Sequence, residues 1–158
     1  MIKYSSGNNA LVDSILAWFR YTLTSGGHCN LRDGYERVAT GGFCEVWFSG
    51  DTLSVYQQAP PKDRARIDRI IDNLSERGPT GLNDQMFKSE GKFSNGQAGG
   101  SKTAVYALKS YQLRVYAFWG SGKKGQLICP EACIKKQNKA DNKQLQRVAK
   151  ESGKLKWL

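Results

Sequence analysis

The chain has 158 residues, of which 39% are hydrophobic and 11% aromatic, enough for one domain with a real core and too apolar for wholesale disorder. Its 17 glycines follow no period, which excludes collagen and repeat arrays, and no run of 18 apolar residues is there to span a membrane as a helix. The formal charge is +10, and residues 99–158 carry all of it, with 13 Lys/Arg against 3 Asp/Glu, whereas residues 1–98 balance at 11 and 11. Such asymmetry points to a polyanionic partner, most commonly nucleic acid, with a merely solvated basic surface as the rival reading.

Residues 1–10 are polar and lack the apolar stretch of a secretory leader, so a cytoplasmic protein is expected. Residues 1–40 read as an N-terminal extension. Asn9 can cap a helix in which Leu11, Ile15, Leu16, Phe19 and Leu23 follow helical spacing, and Ser25-Gly26-Gly27 breaks it. Residues 41–158 form the main domain. Residues 43–48 (FCEVWF) are aromatic and β-branched between glycines, and predict a strand. Pro60-Pro61 opens a helix with Ile67, Ile70, Ile71 and Leu74 on one face, ended by Gly78-Pro79. Residues 80–101 are polar and Gly-rich, and read as a mobile loop.

Three short strands follow as a meander: 103–108 (TAVYAL), 113–119 (LRVYAFW) and one beginning at 126–129 (QLIC). Residues 141–152 close the chain as a helix, with Asp141 or Asn142 as its cap and Leu145, Val148 and Ala149 on one face. The expected class is α+β, a small, mostly antiparallel sheet with helices packed on one face. The four cysteines, Cys29, Cys44, Cys129 and Cys133, read as reduced thiols. The C-x3-C pair with His28-Cys29 far upstream is loose for zinc, and Cys129 fits a small core residue more simply. No metal and no cofactor are expected.

The order of motifs resembles the RelE/HigB-like toxins of the RelE/ParE superfamily, over about residues 43–152. The features that carry it are the helix ending in ERGPTGLND, the strand VYALK, the Arg-bearing strand LRVYAF, and a double-lysine segment (IKKQNK) between the last strand and a terminal helix. The resemblance implies the toxin of a type II toxin–antitoxin pair, a metal-independent, ribosome-dependent endoribonuclease that stops translation by cutting mRNA. Its partners would be mRNA and the ribosome, and a cognate antitoxin. The ParE branch of the superfamily poisons gyrase instead.

Cleavage by the RNA 2′-hydroxyl needs a proton acceptor, stabilisation of charge on the phosphate, and a proton donor to the leaving 5′-oxygen. The only histidine is His28, outside the matched region, so a histidine pair is excluded, and residues 99–158 are too poor in carboxylates for a two-metal nuclease. Lysine, arginine and tyrosine remain. The resemblance carries Arg114 over as a clamp on the scissile phosphate, Lys109 as its assistant, and Lys136 as a stabiliser of transition-state charge. Lys102, Lys123, Lys124, Lys135, Lys139 and Tyr111 would contact RNA. Two departures weaken the match. Val105, Tyr106 and Ala107 stand where the family uses strand lysines, and Asn142 stands where it uses a tyrosine. Tyr106, Tyr111 and Tyr116 are the available substitutes, and the proton acceptor is unassigned. The competing reading is a catalytically inactive RelE-fold protein, ParE-like or a phage-encoded inhibitor, that binds a host protein or nucleic-acid complex.

Overall fold

The computed structural model describes residues 31–120, 125–136 and 140–156. Their elements run β1 (Leu31–Arg32), β2 (Tyr35–Thr40), β3 (Cys44–Ser49), α1 (Gly50–Gln58), α2 (Pro61–Arg77), β4 (Phe87–Ser94), β5 (Lys102–Lys109), β6 (Leu113–Trp119), β7 (Gly125–Ile134) and α3 (Asn142–Lys154). The seven strands form one mixed sheet in the order β1-β2-β3-β7-β6-β5-β4. The β1–β3 half and the β4–β7 meander are each antiparallel, and β3 and β7 join them as a parallel pair at the centre.

Strand alternation sends neighbouring side chains to opposite faces of the sheet, and both faces are buried. Val46, Phe48, Val115, Ala117 and Leu127 point to one side, where Ile67, Ile70, Ile71 and Leu74 of α2 cover them. Trp47, Tyr116, Phe118, Ile128, Val105 and Ala107 point to the other, where Leu145, Val148 and Ala149 of α3 cover them. The architecture is therefore α+β in three layers. The expected small, mostly antiparallel sheet with helices on one face is corrected accordingly. The near-continuous apolar runs of β3 and β7 are the signature of strands buried on both faces.

Two buried loops of polar contacts hold the centre. Ser49 caps α1, its Oγ accepting from the Thr52 amide at 3.0 Å, and it donates to the Pro130 carbonyl at 2.6 Å. Thr52 donates through its hydroxyl to the Cys129 carbonyl at 2.8 Å. These carbonyls lie where the β3–β7 pairing ends, so the hydroxyls replace missing ladder partners. Pro130 has no N–H to give, and the β6–β7 register shifts between Tyr116 and Phe118, opposite it. Cys129 and Cys44 are both fully buried in the core on the α2 side of the sheet.

Three further expectations change. Residues 31–40, assigned to the extension, contribute β1 and β2 to the main sheet; polar residues between the apolar ones hid the alternation. Within the stretch read as a mobile loop, β4 is an edge strand with Phe87 alone buried, so it has no apolar pattern to betray it. Helix α1 is an addition, amphipathic only weakly. The expected N-terminal helix lies outside the described residues. No helix among the described residues is long and apolar enough to cross a membrane.

Candidate functional site

At the end of the sheet where β5 turns into β6, a cleft of about 430 Å³ opens between that turn, β4, α2 and the segment after β7. Its lining among the described residues holds five cations, Arg66, Lys88, Lys109, Arg114 and Lys135, and one carboxylate, Glu90. Tyr111 and Ser110 of the turn complete one wall.

The turn is held by its backbone. Ser110 N–H donates to the Leu113 carbonyl at 3.0 Å, and Lys135 N–H donates to the Gln112 carbonyl at 2.8 Å. From below, the fully buried Asp63 of α2 accepts the Gln112 and Leu113 amides on one oxygen, at 2.8 and 3.1 Å. Burial pushes the Asp63 carboxyl up. The two amides, the Ser110 hydroxyl and the Lys62 charge pull it down by more, so it titrates below its ordinary value.

Lys109 and Arg114 are direct cross-strand partners. Lys109 Nζ donates to the Asp84 carbonyl at 3.1 Å. Arg114 Nη1 donates to the Ser110 and Leu113 carbonyls at 2.5 and 3.1 Å, so the guanidinium is folded over the turn. Partial burial, and then the charges of Arg114, Lys88 and Lys135, push the Lys109 ammonium below its ordinary value, while Glu90 opposes them. Partial burial and crowding by like charges thus make the Lys109 ammonium give up its proton more readily than an ordinary lysine.

Arg66 Nη2 donates to the Gln85 carbonyl at 3.4 Å, while its buried Nε has no hydrogen-bond partner among the described residues. Glu90 lies at a β-bulge, two residues after Lys88, which lines the same cleft. Ser89 pairs with Tyr106 and Gly91 with Val105, so Glu90 is the extra residue, and Gly91 beside it takes φ 122°.

Of the residues singled out in the sequence, Arg114, Lys109, Lys135 and Tyr111 therefore meet in one cleft. Lys136 is exposed next to it and is not part of its lining. Lys102 is exposed at the opposite end of β5, about 23 Å away at the ~3.3 Å rise of a strand. Lys123, Lys124 and Lys139 lie outside the described residues. Tyr116 is buried in the core, which removes it as a substitute at the cleft, and Tyr106 stacks on Phe87 with ring centroids 5.1 Å apart. Arg66, Lys88 and Glu90 escape sequence reading because α2 and β4 precede the basic segment and reach the cleft only through the fold. No cluster of three metal-ligating side chains is present among the described residues.

Compared with protein-family models, with curated proteins and with solved structures, the chain matches none.

Proposed function

We propose that this cleft binds an RNA phosphate and cleaves the adjacent bond without a metal, and that the chain is a toxin of the RelE/HigB kind acting on mRNA at the ribosome. The observation that carries the reading is the convergence of Lys109, Arg114, Lys135, Arg66 and Lys88 around one carboxylate, Glu90.

The chemistry divides among these residues as follows. Glu90 takes the proton of the 2′-hydroxyl, whose oxygen attacks phosphorus. Arg114, with Lys135 and Arg66, holds the charge that grows on the non-bridging oxygens. Lys109, an easier proton donor than an ordinary lysine, protonates the departing 5′-oxygen. The products are a 2′,3′-cyclic phosphate and a 5′-hydroxyl. Arg114 is released from the turn carbonyls when phosphate replaces them as acceptors.

Glu90→Gln is expected to slow cleavage about 10²–10⁴-fold and Arg114→Ala about 10²–10³-fold, with RNA binding by Glu90→Gln kept within a few fold. Cleavage of a defined mRNA on active ribosomes, with wild type and each variant at equal concentration, measures this. Full activity in both variants would remove the assignment.

One observation favours a second reading, an inactive binding protein of the same fold. Val105 and Ala107 stand where the family has strand lysines, and both are fully buried. A protein that binds RNA with the salt dependence of the cleft yet leaves every message intact would fit that reading.

A further inference from the structure

The proposed nuclease cleft has a wall that the motifs of the resemblance do not include. Lys62 and Arg66 lie four residues apart on α2, hence on one helix face. Lys62 Nζ stands 4.9 Å and Arg66 Cζ 5.3 Å from the centroid of the Tyr111 ring. The ring is 58% exposed and lines the cleft. It is not needed to shape the turn, whose bonds run through the backbone of residues 110, 112, 113 and 135 and through Asp63. A large aromatic ring is thus presented on a braced turn, beside a cluster of cations. An aromatic face offers any base a stacking surface without reading its identity. Bases inside a duplex are already stacked, so an unpaired one is required.

We infer that Tyr111, backed by Lys62 and Arg66, is a stacking platform for one unpaired nucleobase next to the phosphate in the cleft, and makes the site selective for single-stranded RNA. The inference rests on the reading of the cleft as an RNA site. Lys62 and Arg66 then face the phosphates that flank the stacked base. Asp63 is a positioning residue: it touches no RNA and fixes the turn that carries the ring.

The test needs no cleavage. A short 2′-O-methyl RNA, which cannot be cut by its own 2′-oxygen, is made with 2-aminopurine at successive positions. Binding is followed by fluorescence, which stacking quenches. With the wild-type protein, quenching is expected at one position, and the duplex of the same sequence is expected to bind at least tenfold more weakly. Tyr111→Ala should lose the quenching and about 5- to 100-fold in affinity for the single strand, with duplex affinity unchanged. Tyr111→Trp should restore both. Tyr111→Ala that quenches and binds like wild type would overturn the platform, as would equal affinity for duplex and single strand, or no binding of either. A quenched base together with uncut messages on active ribosomes would sink the nuclease reading and leave the platform standing. Normal cleavage by Tyr111→Ala without single-strand preference would do the reverse.

Discussion

Lys109 and Arg114 face each other across β5 and β6, and like charges so placed cost a sheet stability. Each also donates to backbone carbonyls, Lys109 to that of Asp84 and Arg114 to those of Ser110 and Leu113, which offsets part of the cost. Lys109→Met is therefore expected to abolish RNA cleavage while stability stays within about 1 kcal/mol of wild type, measured by urea unfolding. Because Lys109 releases its proton more readily than an ordinary lysine, cleavage should fall on the alkaline side at a pH below the usual lysine value of 10.5. Asp63 has the opposite sense. Its folded carboxyl titrates below the ordinary 3.8, so its stabilisation is fully present above about pH 4 and is lost as the pH falls through the lower folded value. Asp63→Asn should cost roughly 1–3 kcal/mol at neutral pH, and its melting temperature should fall less than that of wild type below pH 4. An identical acid profile would contradict the role given to Asp63. Arg114, Lys109, Lys135 and Tyr111 were singled out in the sequence because they lie in or beside three strands with apolar patterns, β5, β6 and β7, on which the resemblance rested. Glu90 was not, because it lies on a polar edge strand with no apolar pattern, within the segment read as a mobile loop.

Among the elements, α2 and α3 were readable because each carries a full apolar stripe. The same stripes do not say which face of the sheet each helix covers. That follows from the two alternating sets of side chains in β3, β6 and β7, which are both apolar and so require two covers. The end of α2 illustrates the tightness of its docking. Gly41 lies so close to the Ser75 carbonyl that a Cβ there would stand 2.2 Å from the oxygen. Gly78 takes φ 74°, and a Cβ on it would meet the Phe43 ring at 2.8 Å. Phe43 N–H in turn donates to the Ser75 carbonyl at 2.8 Å. Gly78→Ala combines left-handed strain with a steric clash and should destabilise by roughly 1–3 kcal/mol. Leu145→Ala, which removes a fully packed side chain from α3, should cost about 2–5 kcal/mol. Thermal melts of both variants check these values. Leu145→Ala melting like wild type would mean that α3 does not seal its face of the sheet.

Over the whole molecule, the charge asymmetry of the sequence indicated a polyanion partner and misplaced part of the site. Two of the five cleft cations, Arg66 and Lys88, belong to the electrically balanced first 98 residues, and Lys102 of the basic segment lies at the far end of its strand. If each cleft cation neutralises one phosphate, affinity for single-stranded RNA should fall roughly 100-fold between 50 and 200 mM salt. A much shallower slope would mean that the cleft is not where RNA binds. The most direct test of the proposed activity is a translation extract programmed with one defined mRNA, with and without active ribosomes, in which the 5′ ends of the message are mapped after the purified protein is added. New 5′-hydroxyl ends, formed only when ribosomes are active and absent with Glu90→Gln, are the expected result. An intact message with undiminished translation would contradict the nuclease reading.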